Sequence, residues 1–158
     1  MRFLLLLSIA IFLAGCSAPK SDLIQTVIGS ENAHFRGVSI GDKRQKVLKK
    51  TAANLVTDNE AGIATAFDAN GVSVTVQYEF EDLQLYSIQA DLFFADTSAL
   101  NTFEHSLIEQ YNSKYGELTE KGGFFVWREN NQIEFNLADE SIEFGQPKLS
   151  LTIYNFSF

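Results

Sequence analysis

The chain has 158 residues, of which 46% are hydrophobic and 13% aromatic, and it carries a formal charge of −8. Twenty acidic residues against twelve Lys and Arg argue against a nucleic-acid partner, because binding phosphates needs clustered cations. Fourteen Phe and five Tyr against two Pro exclude a disordered stalk and are enough to build one packed domain.

The N-terminus reads MRFLLLLSIAIFLAGCS. Arg2 is followed by an apolar run from Phe3 to Leu13, which suits a secretory signal and is too short for the roughly 20 residues of a membrane-spanning helix. Small residues Ala14 and Gly15 then lead into Cys16, the one cysteine of the chain. Leu13-Ala14-Gly15-Cys16 resembles the lipobox of bacterial lipoproteins. The resemblance implies cleavage before Cys16, a thioether-linked diacylglycerol on its sulfur and acylation (palmitate) of the freed amine. One acyl chain binds a bilayer marginally, whereas several hold it firmly. Ser17 in place of Asp implies, by resemblance to lipoprotein sorting patterns, the periplasmic face of an outer membrane. The plain alternative is an ordinary signal peptide with a cysteine nearby. A nucleophilic Cys16 would need an adjacent base, and neither His34 nor His105 is close in sequence.

This partition makes residues 1–15 a signal peptide, 16–35 a lipidated N-terminus and tether, and 36–158 a single periplasmic α+β domain. The mature part keeps all twenty acids and loses Arg2, for a charge of about −9. Residues 17–35 show no sustained periodicity; as a flexible coil they would reach roughly 25 Å. Leu23 to Ile28 is the part of the tether that could dock on the domain.

A first helix is expected from Ile40, with Asp42 as N-cap and Val47, Leu48, Thr51, Ala52 and Leu55 at helical spacing. Three strands follow. GIATAF turns through Asn70-Gly71 into VSVTVQYEF, where Val72, Val74, Val76, Tyr78 and Phe80 share a face, and EDLQ leads into LYSIQADLFF. Such alternation suits an antiparallel sheet with one wet face. A second helix carries Leu100, Phe103, Leu107, Tyr111 and Tyr115 on one side and stops at Gly116. Three more strands are GFFVWR, QIEFNLAD and KLSLTIYNF. The expected fold is therefore α+β: an antiparallel sheet of about six strands with two helices on one face, a helix-plus-three-strands pattern occurring twice.

Few motifs carry chemistry. Lys43, Arg44, Lys46, Lys49 and Lys50 place five cations on the first helix. They could face anionic headgroups or an acidic partner, or form a solvated face whose last-turn lysines complement the helix dipole. His105 and Glu109 are one turn apart, on the wet side of the second helix, and a helix-borne zinc site wants two histidines there. His34 has no partner in view. Asp139, Glu140 and Glu143 lack the rhythm of a calcium loop. The ending LSLTIYNFSF puts Leu149, Leu151 and Ile153 on one face and Tyr154, Phe156 and Phe158 on the other. That is either a strand buried on both faces or an exposed aromatic patch, and such patches mark interaction sites.

Ile40-Gly41-Asp42 through Val47-Leu48, a hydrophobic-Gly pair opening a helix that leads to a hairpin, resembles the small lipoprotein of the β-barrel assembly machinery. The doubled helix-and-strands layout resembles the related β-lactamase-inhibitor-protein-like fold. Asp42 departs from the small or Met residues of that pattern, and no functional residue carries across. The resemblance implies binding of other proteins at the envelope. The expectation is thus a non-catalytic lipoprotein with no cofactor or metal, anchored through Cys16 and contacting an envelope protein through Lys43, Arg44, Lys46, Lys49 and Lys50 and through Tyr154, Phe156 and Phe158. A small-ligand-binding or hydrolase-inhibitor module is the alternative.

Overall fold

Turn chemistry organises the strands. The two-residue turns Asn70-Gly71, Asp82-Leu83 and Gly122-Gly123 have positive φ at both residues, as do Asn130 and Asn131 in a three-residue turn. Positive φ at both central positions gives a turn whose twist matches that of the strands it joins. The computed structural model describes residues 22–157. In chain order the elements are α1 (Asp22–Val27), α2 (Arg44–Thr51), a 3₁₀ turn (Ala52–Asn54), β1 (Leu55–Asn59), β2 (Gly62–Ala69), β3 (Val72–Glu81), β4 (Gln84–Phe93), α3 (Thr97–Tyr115), β5 (Thr119–Lys121), β6 (Phe124–Glu129), β7 (Ile133–Asp139), α4 (Ser141–Phe144) and β8 (Lys148–Asn155).

All pairings are antiparallel, in one eight-stranded sheet ordered β1-β2-β3-β4-β8-β7-β6-β5. Two four-stranded meanders meet where β4 pairs with β8, Ile88 facing Ile153 and Ala90 facing Leu151. The expectation of about six strands and two helices in a repeated pattern is wrong: the described residues form eight strands and four helices. The two extra strands, β1 and β5, lie at the sheet edges with every residue exposed. Backbone pairing alone makes them strands, so they lack the half-buried alternation that reveals a strand in sequence. The halves are also not copies: α2 has eight residues and α3 nineteen, and α4 interrupts the second half alone.

One face of the sheet is the core. Val74, Val76, Tyr78, Ile88, Leu92, Phe135, Leu137, Leu149, Leu151 and Ile153 are buried there, together with Leu100, Phe103, Leu107 and Tyr111 of α3. Asp96 caps α3 by accepting from the Ala99 N–H at 2.8 Å. The opposite face keeps Ser73, Thr75 and Gln89 exposed. From Asp22 onward the expected tether is part of the packed domain, because Ile24, Val27, Ile28 and Phe35 are buried in the core. The first helix is shorter than its spacing suggested. Asp42 lies before it, accepting from the Ser39 N–H and pairing with Lys46 at 2.7 Å. Leu55 lies beyond it as an exposed residue of β1.

Leu83 stands out among the turn residues: it holds φ +64° while 70% exposed. A left-handed conformation costs a residue with a Cβ about 1–2 kcal/mol. Leu83→Gly is expected to raise stability by about 0.5–1 kcal/mol, after allowing for the looser unfolded chain. Leu83→Ala, which keeps the Cβ, should change it little; urea midpoints of the two variants check this.

Candidate functional site

At the end of the sheet where β3 and β8 finish and β4 begins, aromatic side chains gather. Phe80, Glu81, Tyr86, Tyr154, Asn155 and Phe156 line a solvent-open groove of about 700 Å³. Tyr154 and Phe156 come from the aromatic ending that the sequence marked; Phe80 and Tyr86 do not. The β3–β4 register shifts between Glu79 and Phe80, so that Phe80 pairs with Leu85 while Glu79 pairs with Ser87. The extra residue of this bulge is Tyr86 on β4; Phe80, the last residue of the β3 stripe, still packs against the core but is left half-exposed. Phe80 also lines a second recess of about 650 Å³ with Arg44, Asp58 and Leu83.

A buried carboxylate holds the groove floor. Glu134 of β7 lies opposite Tyr154 on β8 and Arg128 on β6. The Tyr154 hydroxyl donates to Glu134 Oε1 at 2.6 Å, and Arg128 donates to Oε2 from Nε at 2.9 Å and Nη2 at 2.8 Å. The Arg128 guanidinium then lies 5.3 Å from the centre of the Phe156 ring. Burial pushes the Glu134 carboxyl up, but the hydrogen bonds from Tyr154 and Arg128 outweigh it and hold it below the usual carboxylate range. The bond to Glu134 pushes the Tyr154 phenol up. The groove therefore presents aromatic surface on a rigid polar base, with Glu81 exposed at its edge.

The expected basic surface is more dispersed than its sequence suggests. Arg44 is half-buried: it pairs with Asp58, donates to the carbonyls of Asn59 at 2.7 Å and Gly62 at 3.3 Å, and lies over the Phe80 ring at 4.9 Å. It acts as a bracket between α2 and the β1–β2 hairpin. Lys43 is exposed at the N-cap of α2, Lys46 is bound to Asp42, and Lys49 and Lys50 are exposed in the last turn. Cys16 and Phe158 lie outside the described residues. His105 is exposed beside Glu109 at 3.3 Å. Among the described residues no group of three or more His, Cys, Asp or Glu could hold a metal ion. None of the described helices is long and apolar enough to cross a membrane.

His34, which sequence left without a partner, is built into the fold. Its Nε2 donates to Glu129 at 2.9 Å, its Nδ1 accepts from the Ile40 N–H at 3.0 Å, and its ring meets Phe135 edge-on. With Nδ1 accepting, the ring has no place for a second proton. Burial lowers its pKa from 6.5, more than Glu129 raises it.

No protein-family model matches the chain, and no curated protein or solved structure matches it either.

Two predictions follow from these contacts. The unfolded chain protonates His34 near pH 6.5 and the folded one below that, so the unfolded state takes up the proton first as pH falls. Stability should drop below pH 6.5 and level off under the folded pKa, and His34→Gln should flatten that limb in urea titrations between pH 7.5 and 5. Separately, Glu134→Ala leaves the Tyr154 hydroxyl and Arg128 without their acceptor. It should cost about 2 kcal/mol by chemical denaturation.

Proposed function

We propose that the chain is an outer-membrane lipoprotein of a bacterial envelope whose periplasmic domain is a non-catalytic protein-binding module, an accessory of an envelope assembly. The observation that carries the anchor is Leu13-Ala14-Gly15-Cys16 at the end of an eleven-residue apolar run, with no other cysteine in the chain. The observation that favours protein binding is the aromatic groove of Phe80, Tyr86, Tyr154 and Phe156, open to solvent at the end of the central strands. Aromatic surface held rigidly is what interface hot spots are made of.

The anchor and the packed domain are close in sequence. Five residues, 17–21, separate Cys16 from the start of α1 at Asp22, and such a segment spans at most about 18 Å. An acylated Cys16 would hold the domain near the headgroups, with Lys43, Lys46, Lys49 and Lys50 as the orienting cations. Arg44 drops out of that set because its bonds are internal. A groove of about 700 Å³ is also within the size range of small-ligand sites, which is the second reading.

Cys16→Ser should abolish incorporation of radiolabelled palmitate and leave residues 1–15 attached, and a variant labelled as strongly as the parent overturns the anchor. The binding reading is tested by in-cell crosslinking, mild-detergent purification of the acylated protein and quantitative mass spectrometry. A stoichiometric protein partner, reduced at least tenfold by Phe156→Ser with Glu81→Lys at unchanged thermal midpoint, is the expected result. A partner indifferent to those changes removes the groove from the interface. A preparation carrying a small molecule and no protein turns the reading to the ligand module.

A further inference from the structure

The opposite end of β8 carries a feature that the groove does not explain. The single turn α4, Ser141–Phe144, raises Ile142 to 98% exposure and Phe144 to 53%. Isolated exposed apolar residues are ordinary; these two share one turn, and that turn is held from every side. The Asp139 carboxylate accepts from the Ser141 N–H at 2.8 Å and from its hydroxyl, and Ser141 Oγ accepts from the Lys148 N–H at 3.0 Å. The Glu140 N–H donates to the Lys148 carbonyl at 3.0 Å, and Gly145 ends the turn with φ +69°. Beneath it the buried Lys148 ammonium binds Glu140 at 2.8 Å and Asp91 at 3.1 Å and lies 3.4 Å from the centre of the Phe144 ring. The knob is rigid before anything touches it, so little conformational entropy is lost when it is gripped.

Charge selects what grips it. Lys148 pairs with Glu140 and Asp91 and offsets one of their two charges, whereas Asp139 and Glu143 flank Ile142 as exposed carboxylates. Anionic lipid would be repelled by them, and a wholly apolar cavity would have to desolvate them. An apolar socket rimmed by Lys or Arg satisfies both the side chains and the charges. One turn is small beside the roughly 800 Å² that each partner buries in a standard interface; its role is that of an anchor at the centre of a larger contact.

We propose that α4 is a second docking surface, with Ile142 and Phe144 seated in an apolar socket whose rim is cationic, on a protein partner. The proposal is independent of the groove, which lies about 20 Å away along β8.

The test places the photocrosslinker p-benzoylphenylalanine at Ile142 of the full acylated chain, in cells that make it natively, with Glu60 as the control position. A discrete protein adduct is expected at 142 and not at 60. Its yield should fall at least fivefold with Glu143→Lys, survive Glu143→Asp, and be unaffected by Phe156→Ser. A protein adduct indifferent to Glu143→Lys overturns the cationic rim. Adducts only to lipid, only to a second copy of the chain, or to nothing overturn the proposal. An unchanged thermal midpoint in each variant shows that α4 still stands on a folded domain.

Discussion

The ring of Phe135 is the contact on which the rest of the structure depends. It stacks on Tyr115 with centroids 4.3 Å apart, meets Tyr111 at 5.5 Å, and takes the edge of His34 at 5.6 Å. Tyr111 in turn meets Trp127 at 5.3 Å. One strand residue thereby joins the N-terminal segment, α3 and the second meander. Asn112 completes the joint, because its side-chain oxygen accepts from Trp127 Nε1 at 2.8 Å and from the Leu118 N–H at 3.2 Å. The last turns of α3, the residue that leads into β5 and the middle of β6 are thus fixed to one another by polar bonds as well as by rings. Burial of Tyr111 is complete enough to push its phenol far up, and its hydroxyl has no hydrogen-bond partner among the described residues. Aromatic packing holds that residue in place without help from its polar atom.

Because successive strand residues point to opposite faces, order in the core passes directly to the groove. Phe135 faces inward; its neighbour Glu134 faces outward and fixes Tyr154 and Arg128. The rows Ser87, Tyr154, Glu134 and Arg128 cross four strands in register. The groove floor is therefore a by-product of cross-strand pairing, and it is as rigid as the sheet.

That origin explains what the sequence could reveal. Strands β3, β4 and β8 are legible because apolar residues alternate along them and one side of each is buried. β1 and β5 are illegible because no side chain of either is buried, and α4 because a single turn has no periodicity to read. Tyr154 and Phe156 were visible as aromatics on the face opposite Leu151 and Ile153. Glu134 and Arg128 were not, since their relation to Tyr154 depends on register between strands far apart in sequence. Tyr86 was hidden by a bulge in β4 that the alternation cannot express, while Phe80 read only as the last inward residue of β3. His34 looked like a tether residue because its partners, Glu129 and Ile40, come from a distant strand and a backbone N–H. The basic run in α2 misled for a related reason: helical spacing gives no sign that Arg44 would turn inward onto Asp58 and the Phe80 ring.

Arg44 and Lys148 show how an acidic domain uses its few buried or half-buried cations. Each binds carboxylates, and each lies on an aromatic ring, Phe80 for Arg44 and Phe144 for Lys148. In both cases the ring belongs to a surface with exposed apolar groups, Leu83 near the first and Ile142 beside the second. A cation beneath an exposed aromatic fixes the ring without covering its outer side. Apolar groups can then stay exposed on a folded surface without collapsing onto it. The two ends of the central strands are thereby kept as rigid apolar features, whereas the face between them stays polar with Ser73, Thr75 and Gln89.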